Sequence, residues 1–223
     1  MPEAHPFFAL SPAAQQKFIA KLLILSAIIV GASGTLFYAA GVLPLLLPLL
    51  AILLSIIAPF IDIPSLVKNK KLTYLSNYLL VEHNKQAILT LHTATLFDYY
   101  FLFAPGMNSR ERKKRALTGI LEGLIALCND QVLSANPEQT VRLTSYVLNE
   151  RTANKLGLQQ VPTDFIQTLI LCYNYINLTM CQSLLNKRLS LPSVKNIKTY
   201  EGSVHTLTQR KAYLLQLKSR MSD

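Results

Sequence analysis

Tryptophan is absent, acidic residues number 12 against 22 basic ones, and cysteine occurs three times in 223 residues. The thiols Cys128, Cys172 and Cys181 are odd in number, widely spaced and lack both a CxxC pair and a neighbouring His pair, which argues against a disulfide framework and a zinc site. They are expected to be buried, reduced, cytosolic thiols. The chain also lacks a Walker loop, a GxGxxG after a strand, an HExxH and a GxSxG, so none of the common catalytic or nucleotide-binding signatures is present. The largest absence is of charge. Between Lys21 and Asp62 the chain runs about 40 residues without an ionisable acid or base, twice the roughly 20 apolar residues that one helix needs to cross a bilayer.

That stretch predicts a membrane hairpin over residues 18–62, with spans at 18–40 and 42–61 and a turn marked by Gly41 and Pro44. The first span carries Gly31, Ala32, Ser33 and Gly34, small residues that let a neighbouring helix approach, so another membrane protein could dock through Gly31 and Gly34. Proline within a span is tolerable where neighbours satisfy the freed carbonyls, so Pro48 is expected to kink the second span rather than end it. Two rival readings are weighed. A helical hairpin buried in a soluble protein conflicts with two helices that are apolar all round, and a cleaved signal peptide conflicts with the length of the first segment and the second one at its heels.

The charge distribution orients the hairpin. Up to Asp62 the charged residues are Glu3, Lys17, Lys21 and Asp62, so the formal net charge of +10 lies wholly in the remainder. Lysines 17 and 21 precede the first span and Lys68, Lys70 and Lys71 follow the second. The positive-inside rule then predicts an integral protein, of a bacterial-type inner membrane, with both termini cytoplasmic. Residues 1–17 are too short and proline-rich for a domain. Phe7, Phe8 and Leu10 could sit at the membrane interface or be disordered, and His5 carries no argument.

Residues 63–223 suffice for one basic domain. The run from Leu72 to Ala94 reads as a β-hairpin with its break at His83–Lys85, Leu75, Leu79 and Val81 sharing one face of the first strand and Leu89 and Leu91 one face of the second. Thr95 and Asp98 have the spacing of a helix N-cap, and the aromatic run that follows reads as core before Pro105 and Gly106 stop it. A basic helix from Ser109 comes next, with Leu117, Ile120, Leu121, Leu124 and Cys128 inward and Gly119 and Gly123 permitting close packing. A strand over 141–148, a short helix capped by Asn149 and ended by Gly157, a long helix from Asp164 and a last helix over about 207–221 complete the reading. In the long helix Phe165, Leu169, Ile170, Tyr173, Ile176, Met180 and Leu184 are expected to face inward. It is not expected to be a third span, because Gln167, Asn174, Asn177 and Gln182 would be costly in lipid. The fold class is therefore a membrane protein: a two-helix transmembrane hairpin followed by one helix-rich cytoplasmic α+β domain.

Chemistry has one candidate constellation. His92 and Asp98 flank a strand-to-helix turn, and Ser145 with Arg151 sits at a second, so a carboxylate-oriented His base is conceivable there. The competing account is stronger, since capping explains Asp98 and Ser145 lacks a nucleophile-elbow motif. The basic residues speak more clearly. Arg110, Arg112, Lys113, Lys114 and Arg115, with Lys68, Lys70 and Lys71, would face an anionic leaflet, where each nearby cation is worth about 1 kcal/mol. Nucleic acid would meet the same charge, but no reading motif accompanies it. The expected function is an adaptor or accessory subunit at the membrane surface, with the bilayer and its anionic headgroups as partners and no cofactor or metal. A membrane-bound enzyme acting on a lipid or phosphate-bearing substrate through His92 and Asp98 is the alternative, and a tethered nucleic-acid-binding domain the second.

Overall fold

The computed structural model describes residues 5–83, 88–130, 139–145, 148, 150–162, 169, 172–193 and 197–222. Helix α1 (Pro12–Ala39) starts where Ser11 caps it, its hydroxyl accepting from the Ala14 N–H, and Pro12 stands at a first-turn position where no N–H is missed. It ends at Gly41, whose φ of +69° is the left-handed turn that glycine adopts without cost. A single 3₁₀ turn (Leu43–Leu45) leads into α2 (Leu46–Lys68). Both helices are long and apolar enough to cross a membrane.

The helices exceed the spans read from hydropathy. α1 begins six residues before Phe18, and α2 carries Pro59, Asp62 and Pro64 inside it before ending at Lys68. Pro48 sits in the first turn of α2, where its missing N–H is no loss, so it neither kinks nor ends the helix. The boundary placed at residue 62 thus falls within a helix.

After α2, strands β1 (Leu72–Ser76), β2 (Leu79–His83) and β3 (Ile88–Thr93) form an antiparallel meander. What reads as one long first strand is two, because the chain turns at Asn77 and Tyr78. Leu75, Leu79 and Val81 do share a face, of two strands. Helices α3 (Leu96–Leu102) and α4 (Ser109–Asn129) cross over to β4 (Thr140–Ser145), which lies parallel to β3. Then come α5 (Glu150–Lys155), β5 (Gln159–Val161), α6 (Tyr175–Asn186), β6 (Lys198–Ser203), α7 (Val204–Gln209) and α8 (Lys211–Ser222). The sheet order is β1-β2-β3-β4-β6-β5. Strands β5 and β6 escape sequence reading: the first is three residues long and the second, KTYEGS, has almost no apolar alternation. The expected last helix is two, broken at Arg210.

Each face of the sheet has its own core. On one, Leu79, Val81, Leu89, Leu91, Val141, Leu143 and Tyr200 meet α4 (Leu124, Leu127), α5 (Ala153), α7 (Leu207) and α8 (Leu214). On the other, Leu72 and Leu80 meet α3 (Phe97, Leu102), the outer end of α6 (Cys181, Leu185), the base of the hairpin (Phe60, Ile63) and the N-terminal Phe7, with Phe18, Ile19 and Leu22 of α1 packed around them. Helix α4 can lie this close because of its glycines. A Cβ at Gly119 would meet the Tyr78 ring at 2.2 Å and one at Gly123 the Leu79 Cβ at 2.6 Å, and Ser76 Oγ donates to the Gly119 carbonyl at 2.6 Å.

Several expected orientations are corrected. Leu117 is exposed because the register of α4 turns Ala116, Gly119, Gly123 and Leu127 inward instead. Leu169 and Tyr173 are also exposed, and so is Cys172, so only Cys128 and Cys181 are buried thiols. Phe165, Gln167, Ile170 and Asn149, with its cap, lie outside the described residues.

Candidate functional site

The four residues weighed for catalysis do not form one site. His92 sits on the face of β3 opposite Leu89 and Leu91, as alternation requires, and pairs with Glu82 of β2 at 2.8 Å across two half-exposed side chains. That bond holds the Glu82 carboxyl below the usual carboxylate range. Ser145 is on the opposite face at the end of β4, where its hydroxyl accepts from the Leu148 N–H. Arg151 is exposed on α5. Asp98 has no exposed surface at all.

Asp98 is instead the centre of a buried polar cluster. Its Oδ2 accepts from the Thr95 N–H at 2.6 Å and the Thr95 hydroxyl at 2.9 Å, closing the capping box of α3. Its Oδ1 accepts from the Tyr74 hydroxyl at 2.5 Å, and burial next to this carboxylate pushes the Tyr74 pKa far upward. The fourth neighbour is His5. The Phe7 N–H donates to His5 Nδ1 at 3.3 Å, and Nε2 lies 3.4 Å from Asp98 Oδ1 without a hydrogen bond. His5 is stacked on Phe97 with centroids 5.2 Å apart and lies among Phe8, Tyr74 and Phe101. The N-terminal segment, expected at the interface or disordered, is therefore threaded into the aromatic core. Nothing in MPEAHPFF announces this, because the cage that receives it is assembled from residues about 70 to 95 positions away.

The cage extends into the hairpin. Phe18 of α1 meets Tyr100 and Phe101 of α3, and Phe60 of α2 meets Tyr100, at centroid distances between 5.1 and 5.8 Å, while Phe18 and Phe60 lie 6.1 Å apart. The aromatic run expected as core does bury Phe97, Tyr99 and Leu102, while Tyr100 stays exposed against the two helices of the hairpin. Phe18 stands between Lys17 and Lys21 in the chain, and Phe60 two residues before Asp62.

The basic residues divide in the fold. Lys68 closes α2, Lys70 and Lys71 follow it, and all three are exposed. On α4, Arg110, Lys113, Lys114 and Arg115 are exposed, but Arg112 is only 8 % exposed. Its guanidinium lies 5.1 Å over the Phe103 ring, and Nη1 donates at 2.7 Å to the Leu184 carbonyl in the last turn of α6. A cation there answers the negative end of the helix and fastens α6 to α4, so Arg112 is taken out of the expected headgroup set.

A shallow groove of about 910 Å³ runs between α4, the β1–β2 turn and α8, lined by Tyr78, Lys114, Arg115, Glu122 and Lys218. Burial pushes the Tyr78 pKa up to about 12 against the pull of Arg115. Glu122 and Lys218 pair at 2.8 Å, and Glu111 is engaged in the capping box of α4 with Asn108. Among the described residues no three His, Cys, Asp or Glu side chains gather as a metal site would need. In the hairpin, the face at Gly34 is taken by Leu46 of α2 at 3.8 Å, whereas Gly31 faces open space. No protein-family model, curated protein or solved structure matches this chain.

Proposed function

We propose that the protein is an integral membrane adaptor or accessory subunit, with both termini cytoplasmic, whose hairpin and basic sheet domain are joined rigidly rather than by a tether. The observation that carries the reading is the composition of the second core. Phe18, Ile19 and Leu22 of α1 and Phe60 and Ile63 of α2 are packed into the sheet domain, while the hairpin beyond them, from Leu23 to Leu54, presents large apolar side chains to its surroundings. Exposed Leu and Ile over so long a surface demand an apolar solvent.

The charge boundaries agree. Lys21 on α1 and Asp62 on α2 are each about 20 residues from the turn at Gly41, so both arms measure about 30 Å, the thickness of a hydrocarbon core. The exposed cations Lys68, Lys70, Lys71, Lys113 and Arg115 would then stand in the anionic surface layer, where headgroup phosphates are the partner that such a patch attracts. The adaptor reading is preferred over the enzymatic one because His92, Asp98, Ser145 and Arg151 do not converge.

Two measurements test it. Reporters fused at either terminus are expected to be cytoplasmic and the protein to resist alkaline extraction; a periplasmic-type signal from the C-terminal fusion overturns the topology. Substituting Lys113, Lys114 and Arg115 by Gln is expected to reduce the anionic phospholipid that copurifies in mild detergent. An unchanged lipid content would sink the headgroup part.

A further inference from the structure

Helix α6 meets the hairpin at an unexpected place. Asn177 Nδ2 donates to the Ser55 carbonyl at 3.2 Å, and the Ser55 hydroxyl donates to the Tyr173 carbonyl at 3.3 Å. Ser55 is buried in the middle of α2, seven residues before Asp62, which is about 10 Å along the helix axis on the apolar side of that charge. From there α6 runs outward, through Cys181 and Leu185 in the second core, to the carbonyl held by Arg112. Beyond Asn186, Lys187 adopts a left-handed φ of 52° and the chain turns back along the helix. The Ser190 N–H donates to Ser183 Oγ at 3.0 Å, and the Tyr175 hydroxyl donates to the Pro192 carbonyl at 3.2 Å.

This returning pair is apolar where it is open. Leu169 and Tyr173 are 53 % and 56 % exposed at the inner end, and Leu189 and Leu191 on the returning segment are 81 % and 68 % exposed. No charged residue occurs between Asp164 and Lys187, and Lys187 and Arg188 lie at the outer end. Some of the polar groups that would make burial in lipid costly are occupied: Asn177 is spent on Ser55, and the hydroxyls of Thr179 and Ser183 donate to the Tyr175 and Thr179 carbonyls one turn back. Back-bonding of this kind is how hydroxyls are accommodated in spanning helices.

We propose that α6, the residues just ahead of it and the segment returning along it are a second membrane contact: an interfacial element, not a third span, that inserts Leu169, Cys172, Tyr173, Leu189 and Leu191 at the acyl boundary beside α2. Lys187 and Arg188 stand at phosphate level. The inferred depth of Ser55, about 10 Å, is the depth to which interfacial helices bury an apolar face. This rests on the reading of the hairpin as a membrane anchor. It also explains why leucines stand beside a Lys-Arg pair on an otherwise ordinary loop.

Cys172 is a native probe, since Cys128 and Cys181 are buried. The full chain, reconstituted in phosphatidylcholine/phosphatidylglycerol vesicles, is treated with a charged maleimide and the modified peptides are quantified by mass spectrometry. Leu189→Cys supplies a second site, Leu47→Cys reports the hairpin and Leu215→Cys, on exposed α8, reports water. Cys172 and the thiol at 189 are expected to react at least about tenfold more slowly than the thiol at 215, because thiolate forms poorly away from water. Unfolding in strong detergent should restore labelling. Fast reaction at 172 and 189 with the thiol at 47 still protected overturns this inference and leaves the anchor standing; fast reaction at all three overturns both.

Discussion

The two faces of the sheet are sealed by different material. One is closed by α4, α5, α7 and α8, every one of which follows the sheet's first three strands in the chain. The other is closed by α3 together with residues that sequence would assign elsewhere: an N-terminal tail, the feet of two apolar helices and the outer half of α6. The first face is an ordinary soluble core. The second makes the two apolar helices part of the globular fold, so the sheet cannot swing relative to them without exposing Phe97, Leu80 and Phe7. In physical terms, the position of the sheet relative to the two apolar helices is specified by packing rather than by linker length.

The sharpest way to break this contrast is to remove the hairpin. A chain starting at Ile63 loses Phe7, Phe18 and Phe60 from the second core and leaves Phe97 and Leu80 uncovered. It is expected to aggregate or to bind a hydrophobic dye strongly, whereas a fold with two independent halves would stay soluble and cooperative in thermal unfolding. Less drastic is Asp98→Ala, which leaves the Tyr74 hydroxyl and the Thr95 N–H without their acceptor in a buried site. A loss of about 1–3 kcal/mol in denaturant unfolding is expected, and a loss confined to a few tenths would mean the cluster is slack.

On the other side of the sheet, Gly123→Ala tests the close approach of α4. A methyl group there meets Leu79 and must push the helix off the β1–β2 turn, for which about 1–3 kcal/mol is the usual cost of overpacking. A neutral or stabilising outcome would show that α4 is free to move. The smallest effect is expected at His92→Ala, within about 0.5 kcal/mol, since an exposed pair contributes little. Its readout is the pH dependence of Glu82. With His92 present the folded carboxyl titrates below its unfolded value, so the small contribution exists above that value and is lost as pH falls through the folded one. Without His92 the Glu82 titration, followed by NMR, should move back toward the ordinary range.

Much of this was legible in the chain, and the reasons differ by region. The hairpin was visible because lack of charge over about 40 residues leaves few alternatives. The capping box at Thr95 was visible because it is a local rule whose partners lie within one turn, and strand β4 because its alternation lies within one element. The burial of Arg112 was not legible. Arg112 carries the same charge as its neighbours, and only the arrival of Phe103 and the Leu184 carbonyl makes it structural.

By itself, then, the sequence determined two helices long and apolar enough to cross a membrane and the sign of the net charge, since both follow from composition and spacing. Tertiary structure alone decided the rest. It brought His5 to Asp98, Ser55 to Asn177 and Arg112 to Leu184, over separations of 93, 122 and 72 residues. Burial turns such long-range polar pairs into obligations, because a polar group removed from water must find its partner wherever the fold places one. No periodicity records those meetings. They exist because two cores close on one sheet, and the second core draws on both ends of the helical hairpin.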